Sequence, residues 1–241
     1  MHADPDFVVI DKPPHLVAHS EGAFAQNTFL HALALQHNGG APFHLVHRLD
    51  RETSGLLLLA RDPTATVRLQ ACFTTGGVQK RYLAVVHGRV STTTPIDAPI
   101  GAAPGSSIAA RRGVVPAGTP KARPARTSLR VLETFAAHTL LELTPHTGRT
   151  HQLRVHLEHV GHPLVGDKLY GRTDAQYLEY VAHLKAGGEP AWGARLGAGR
   201  QLLHAAGLTF VHPRSGAPIA LEVAPPADFD AFLTTCRERA R

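Results

Sequence analysis

The stretch HRLDRETSGLLLLARD, His47 to Asp62, carries more structural and chemical information than any other part of this chain. It opens polar, with the Asp50 carboxylate flanked by Arg48 and Arg51. Thr53, Ser54 and Gly55 then turn into an apolar run. The run from Gly55 to Arg61 is too short for a convincing helix and predicts a buried strand. Asp62 followed by Pro63 predicts a helix start, a side-chain cap with proline in the first turn, and Gly76-Gly77 predicts its stop. An aspartate beside arginines is held ionised, which suits a nucleophile or a base better than an acid. The plainer alternative is a turn aspartate in surface ion pairs.

On either side of this stretch the chain reads as short strands with few long helices. Phe7 to Ile10 predicts a strand closed by Pro13 and Pro14. Asn27 and Thr28 predict the cap of a helix through about Gln36, stopped by Asn38, Gly39 and Gly40. Arg81 to His87 alternates as a strand does. Strands are also predicted near Thr127–Phe135, His138–Thr144, Leu203–Phe210 and Ile219–Val223. Thr150 predicts the cap of a helix to about Val160, with Gly161 past its end and Leu153, Leu157 and Val160 on one face. Residues 174–200 read as a helix and a Gly-rich loop, an insertion at the domain edge, and a short helix from Asp228 closes the chain. Strands without βαβ alternation predict an α+β fold, with a mixed, largely antiparallel central sheet flanked by helices and loops.

Composition narrows the function classes. The chain has 241 residues, 25 Lys and Arg against 19 Asp and Glu, and a net charge of +6. That balance points toward a polyanionic partner, and nucleic acid is the commonest. The basic charge has a focus: residues 98–132 contain no acid but carry Arg111, Arg112, Lys121, Arg123, Arg126 and Arg130. Their early part reads as a long basic loop contacting phosphates, against a merely solvated loop as the alternative. Cys72 and Cys236 make no Cys-x-x-Cys pair and no disulfide framework, which fits a reducing compartment. The start MHADPDFVVIDKPP has no basic segment leading into an apolar core, so no secretory signal is expected. The strongly apolar run Leu56–Ala60 is far short of a membrane span. A cytoplasmic monomer is the expectation.

The motifs now point to a family. His47-Arg48-Leu49-Asp50 with Thr53-Ser54-Gly55-Leu56 resembles the central motif of the RluA-type RNA pseudouridine synthases. Four further segments agree in order. Asp6-Phe7-Val8-Val9 through Lys12-Pro13 resembles the family's opening strand and turn. Lys80-Arg81-Tyr82-Leu83-Ala84 resembles the segment that supplies its active-site tyrosine. Thr147 to His156, with Gly161-His162-Pro163 and Gly166-Asp167, resembles its third motif. Leu203-His204-Ala205, with Phe210, His212 and Pro213, resembles its closing strand. The resemblance runs from about residue 4 to residue 224. It departs at His15, where the family has glycine, and at residues 174–200, which have no clear counterpart. The separate N-terminal RNA-binding domain of some relatives has no match either, so a single catalytic domain over residues 1–241 is expected.

The resemblance implies the pseudouridine synthase catalytic fold and a cofactor-free, metal-free isomerisation of uridine in structured ribosomal or transfer RNA. Asp50 would be the catalytic carboxylate, attacking the sugar or taking a proton from it. Tyr82 would stack on the uracil. Arg154, with Arg149 as the alternative, would hold the carboxylate ionised. Arg48 would fill the vacated space or hold the flipped-out nucleotide, since the target base must leave its stack. His47, Arg149, Arg111, Arg112 and Lys121 would complete the RNA contacts. Three other readings compete. His156 and His159 lie one helical turn apart, as metal ligands do, but no carboxylate or cysteine completes a known pattern. A binding protein that keeps the fold would have an eroded catalytic set, whereas Asp50, Tyr82 and Arg154 are all present. A glycosidase needs two convergent carboxylates, and Asp50 and Glu52 need not converge.

Overall fold

The structure is a computed structural model and describes residues 2–16, 43–187 and 195–239. The helix predicted for residues 27–36 lies outside these. In chain order the strands begin with β1 (His2–Ala3), β2 (Phe7–Lys12), β3 (His44–Leu45) and β4 (Ser54–Ala60). Helix α1 (Pro63–Thr74) leads to β5 (Val78–His87), β6 (Ile96–Asp97), β7 (Ile100–Ala102) and β8 (Arg112–Val114). Then come β9 (Arg126–Thr134), β10 (His138–Pro145), α2 (Gln152–His159) and α3 (Asp174–Lys185). The chain ends with β11 (Leu203–Val211), β12 (Pro218–Glu222) and α4 (Ala227–Glu238). The strands are mostly antiparallel, as the sequence predicts. The chain divides into two compact units, Met1–Arg81 with His204–Pro226, and Tyr82–Leu203 with Ala227–Arg241.

In the first unit β4 is central. It pairs antiparallel with β2 along its length and with β3 at its far end, and parallel with β11 at its start, where Gly55 faces Ala205. Every residue of β4 is buried, which explains why its sequence is one apolar run and not an alternation. Leu56, Leu58 and Ala60 pack with Phe7, Val9, Leu208 and Phe210 against Ala65 and Leu69 of α1. Asp62 caps α1 by accepting the Ala65 N–H at 2.8 Å, the predicted start. Gly55 has φ +106°, and a Cβ there would lie 2.3 Å from the Ala205 carbonyl oxygen. The parallel pairing that leads β4 out of the Asp50 turn therefore needs glycine.

In the second unit β10 pairs antiparallel with β5 and β9, and β6 extends β9. Val85, Leu140, Val165 and Leu202 form a core closed by Phe229, Leu233 and Cys236 of α4. Two local expectations fail here. The basic loop is partly ordered into the β7–β8 hairpin, held by Ile100 against Arg123. Its high Gly, Ala and Pro content hid the short pairing. Helix α2 starts one residue later than predicted, with His151 at its N-cap in a left-handed conformation, φ 57°. Thr150 is exposed, no side chain caps the helix, and the Gln152 Oε1 accepts the Arg149 N–H of the preceding loop at 3.0 Å. Leu153 and Leu157 are buried, while Val160 is 43% exposed, because the helix has already ended.

Candidate active site

In the first unit Asp50 lies in the turn that feeds β4, half-buried, its carbonyl accepting the Thr53 N–H at 3.1 Å. The turn is held by a buried lysine. Lys12 has no exposed surface, and its ammonium donates to the carbonyls of Pro13, Leu16 and Arg51 at 2.8, 3.1 and 3.2 Å. These carbonyls compensate the cost of burying its charge. One lysine thus ties the segment after β2 to the residue that follows Asp50. His15, the departure from the family pattern, keeps a left-handed turn with φ 68°, so histidine stands where glycine would be unstrained.

The neighbours of Asp50 diverge. Arg48 is exposed. His47 instead packs its ring on Phe73 at 4.9 Å and accepts the Leu58 N–H on Nε2 at 3.0 Å. Burial and the nearby Lys80 ammonium push its pKa down to about 3, so it is neutral and serves as a strand clamp. The geometry gives it a positioning role on β4. Ser54, at the start of β4, bonds His204 Nδ1 at 3.0 Å, and His204 Nε2 donates to the Val223 carbonyl at 3.2 Å. That fixes the tautomer: Nε2 carries the proton and the serine hydroxyl donates to Nδ1.

In the second unit Tyr82 is 8% exposed and sits opposite Leu143 across β5 and β10. Arg154, in the first turn of α2, forms a two-pronged ion pair with Asp167: Nε to Oδ2 at 2.7 Å and a terminal nitrogen to Oδ1 at 2.8 Å. Its guanidinium also lies 4.7 Å over the Tyr170 ring. Asp167 accepts the Leu169 and Tyr170 N–H groups as well, at 2.8 and 2.9 Å. Burial raises the Asp167 pKa, but the Arg154 charge and these hydrogen bonds outweigh it and hold the carboxyl below its ordinary value. A guanidinium oriented by a planar partner and an aromatic face has little freedom to lose when it meets an anion.

The loop before α2 is equally tight. Gln152 accepts from the Thr147 hydroxyl at 2.6 Å and donates to the Arg126 carbonyl and the Thr127 hydroxyl, both at 3.0 Å. Arg149 is half-exposed beside it and donates to the Pro124 carbonyl at 2.9 Å. Desolvation and the nearby Arg123 lower its pKa. His156, weighed as a metal ligand, is fully buried with both ring nitrogens bonded, to the Thr127 hydroxyl at 2.9 Å and the Ala98 carbonyl at 3.0 Å.

The three basic-segment residues separate. Lys121 is exposed with φ 64°, and Arg112 is half-exposed on β8. Arg111 is a correction to the phosphate-contact reading. Its guanidinium donates to the Arg172 carbonyl, Asp174 and Glu158 at 2.9, 2.9 and 2.8 Å, with 14% of the side chain exposed. Sequence reasoning assigned no role to Lys12, Gln152 or Asp167. A lysine closing an apolar strand before two prolines was a usable signal for the first, and a Gly-Asp pair after a buried Leu-Val for the last.

Comparison with known proteins agrees with this arrangement. The model of the family described as RNA pseudouridylate synthase matches residues 6–159, a span that holds Asp50, Tyr82 and Arg154. An uncharacterized RNA pseudouridine synthase of Chloroflexus aurantiacus is 40% identical over 235 residues, 95% of this chain and 66% of that protein. The ribosomal large subunit pseudouridine synthase D of Nitrosomonas europaea is 39% identical over 97% of this chain and 64% of its own length. The chain thus spans about two thirds of these curated relatives. The solved structure of human RNA pseudouridylate synthase domain containing 4 superposes with a TM-score of 0.73 at 30% identity, covering 98% of this chain and 92% of that one. From the motif around Asp50 to the course of the strands, this chain belongs to the RNA pseudouridylate synthase family.

Proposed function

We propose that this chain isomerises uridine to pseudouridine in structured RNA, with Asp50 as the reacting carboxylate. The glycosidic bond between C1′ and N1 breaks, the uracil turns, and a bond forms between C1′ and C5. The proton at C5 leaves and N1 gains one, so no oxidant or reductant is consumed. The observation that carries this reading is the Asp50 turn, pinned by buried Lys12 inside the segment that the family model matches. A carboxylate must be held rigidly if it is to meet one sugar carbon or one sugar proton productively. Tyr82 stacks on the base, and Arg154, already oriented by Asp167, supplies the charge that keeps the carboxylate ionised. Arg48 and Arg149 hold the extruded nucleotide and its phosphates. Opening the stack costs a few kcal/mol, least at a loop or bulge.

Ribosomal RNA of the large subunit is the favoured substrate class, because the Nitrosomonas relative is named for it. Transfer RNA is the second arm of the test. Among the described residues no helix is long and apolar enough to cross a membrane. We place the protein in the cytoplasm as a monomer acting on newly made RNA. The test uses RNA made without pseudouridine and tritiated at uracil C5. Wild type should release tritium, and Asp50→Ala, folded to the same melting temperature, should release none. Release by both proteins would remove Asp50 from the chemistry, and release by neither would reject the activity.

A further inference from the structure

Helix α3 and the turn before it border a surface cavity of about 160 Å³. Its lining includes Lys168, Arg172, Glu179, Tyr180, Arg195 and Leu196, three cations and one acid. This is smaller than the ~300–1,000 Å³ of ordinary small-molecule sites and suits a single charged group. Lys168 is set in place: its ammonium donates to the Gly199 carbonyl at 2.6 Å and lies 5.9 Å over the Tyr180 ring. Tyr180 is itself 9% exposed, so it forms wall and not a stacking surface. The lone acid, Glu179, is 3.6 Å from Arg195, with both side chains more than half exposed. Such a pair is weak and exchanges readily for a stronger anion. Asp174 and Glu158, the acids around the start of α3, are taken up by Arg111. Ser106 and Ser107 add hydrogen bonds to Asp174 at 2.8 and 2.6 Å. That neutralisation leaves the cavity cationic. It also ties α3 to the segment carrying β7 and β8, so the cavity has a fixed place in its unit.

Resting on the RNA-directed activity above, we propose that this cavity binds one phosphodiester of the substrate RNA, at a nucleotide other than the reacting uridine. Arg172, Arg195 and Lys168 neutralise its charge, and Glu179 yields Arg195 to it. Helix α3 and Arg195 thereby position substrate.

The probe is large-subunit ribosomal RNA transcribed in vitro without modification. Its affinity for the full chain is measured against KCl concentration for wild type, Arg172→Gln/Arg195→Gln and Glu179→Gln. The double variant should bind about tenfold more weakly, with the slope of log affinity against log salt reduced by about one to two. Glu179→Gln should bind more tightly, a direction that damaged packing does not produce. In the tritium assay the double variant should raise KM and leave kcat unchanged. An unchanged salt slope in the double variant overturns the site, whatever happens to affinity, and leaves the activity standing if wild type releases tritium. A wild type that binds RNA through this cavity but releases no tritium overturns the activity and keeps the site. A wild type that binds no RNA overturns both.

Discussion

Gly55 and Asp167 show how single residues hold the two halves of the candidate chemistry. Gly55 stands at φ +106° with its backbone pressed on Ala205. Gly55→Ala puts a methyl group 2.3 Å from a carbonyl oxygen that cannot retreat without breaking the β4–β11 pairing. A loss of at least about 3 kcal/mol is expected in urea unfolding, and a loss under 1 kcal/mol would show that the strands can part there. Asp167 belongs to the other half. Asp167→Asn removes the charge facing buried Arg154 and should destabilise by about 3–5 kcal/mol. Because its folded pKa lies below the unfolded value of 3.8, the stability it provides is present above that value. It is lost as pH falls through the lower folded value. The variant should therefore show a flatter acid limb than wild type in this range, and parallel curves would contradict the ion-pair account. The motif made Arg154 legible. Its partner was not, because Asp167 meets Arg154 only once the chain has turned past Gly161 and Gly166.

At the scale of elements, α3 and the β7–β8 hairpin act together through Arg111. The sequence showed a basic stretch and, separately, a helix; in the structure Thr173 caps α3 with a reciprocal Gln176 bond. It did not show that the arginine of one is the anchor of the other. Arg111→Ala should lower the urea midpoint, since it leaves Asp174 and Glu158 without their shared cation. Its effect on the salt slope of RNA binding should be smaller than that of Arg172→Gln. The reverse ranking would restore Arg111 as a phosphate contact. Elements with strong local signals were legible: the Asp62-Pro63 start of α1, the apolar run of β4, and the alternating strands β9 and β10. The hairpin was not, because two three-residue strands among glycines and prolines carry too little pattern to register.

Across the whole molecule the histidines set the response to acid. His47, His87, His138 and His156 all have lowered pKa values, each chiefly through burial. A neutral folded histidine faces an unfolded one that takes a proton below pH 6.5, so the stability is present above that pH. It is lost as pH falls, for His47 down to about 3. Each such histidine contributes a slope of up to about 1.4 kcal/mol per pH unit. Urea titrations from pH 7 to 4 should show stability falling steadily, and His47→Gln should fall less steeply. An equal slope would mean that His47 accepts a proton in the folded state. What could be read from the linear chain was local: the periodicity of the strands, the caps and stops of helices, the charge balance, and a motif dense enough to mark Asp50, Tyr82 and Arg154. These depend on neighbours within a few residues. What required the folded chain was the meeting of partners far apart in sequence, Lys12 on the Arg51 carbonyl, Arg111 on Asp174 and Arg154 on Asp167. A side chain's partner is set by where the backbone carries distant residues, and no pattern along the chain encodes that distance.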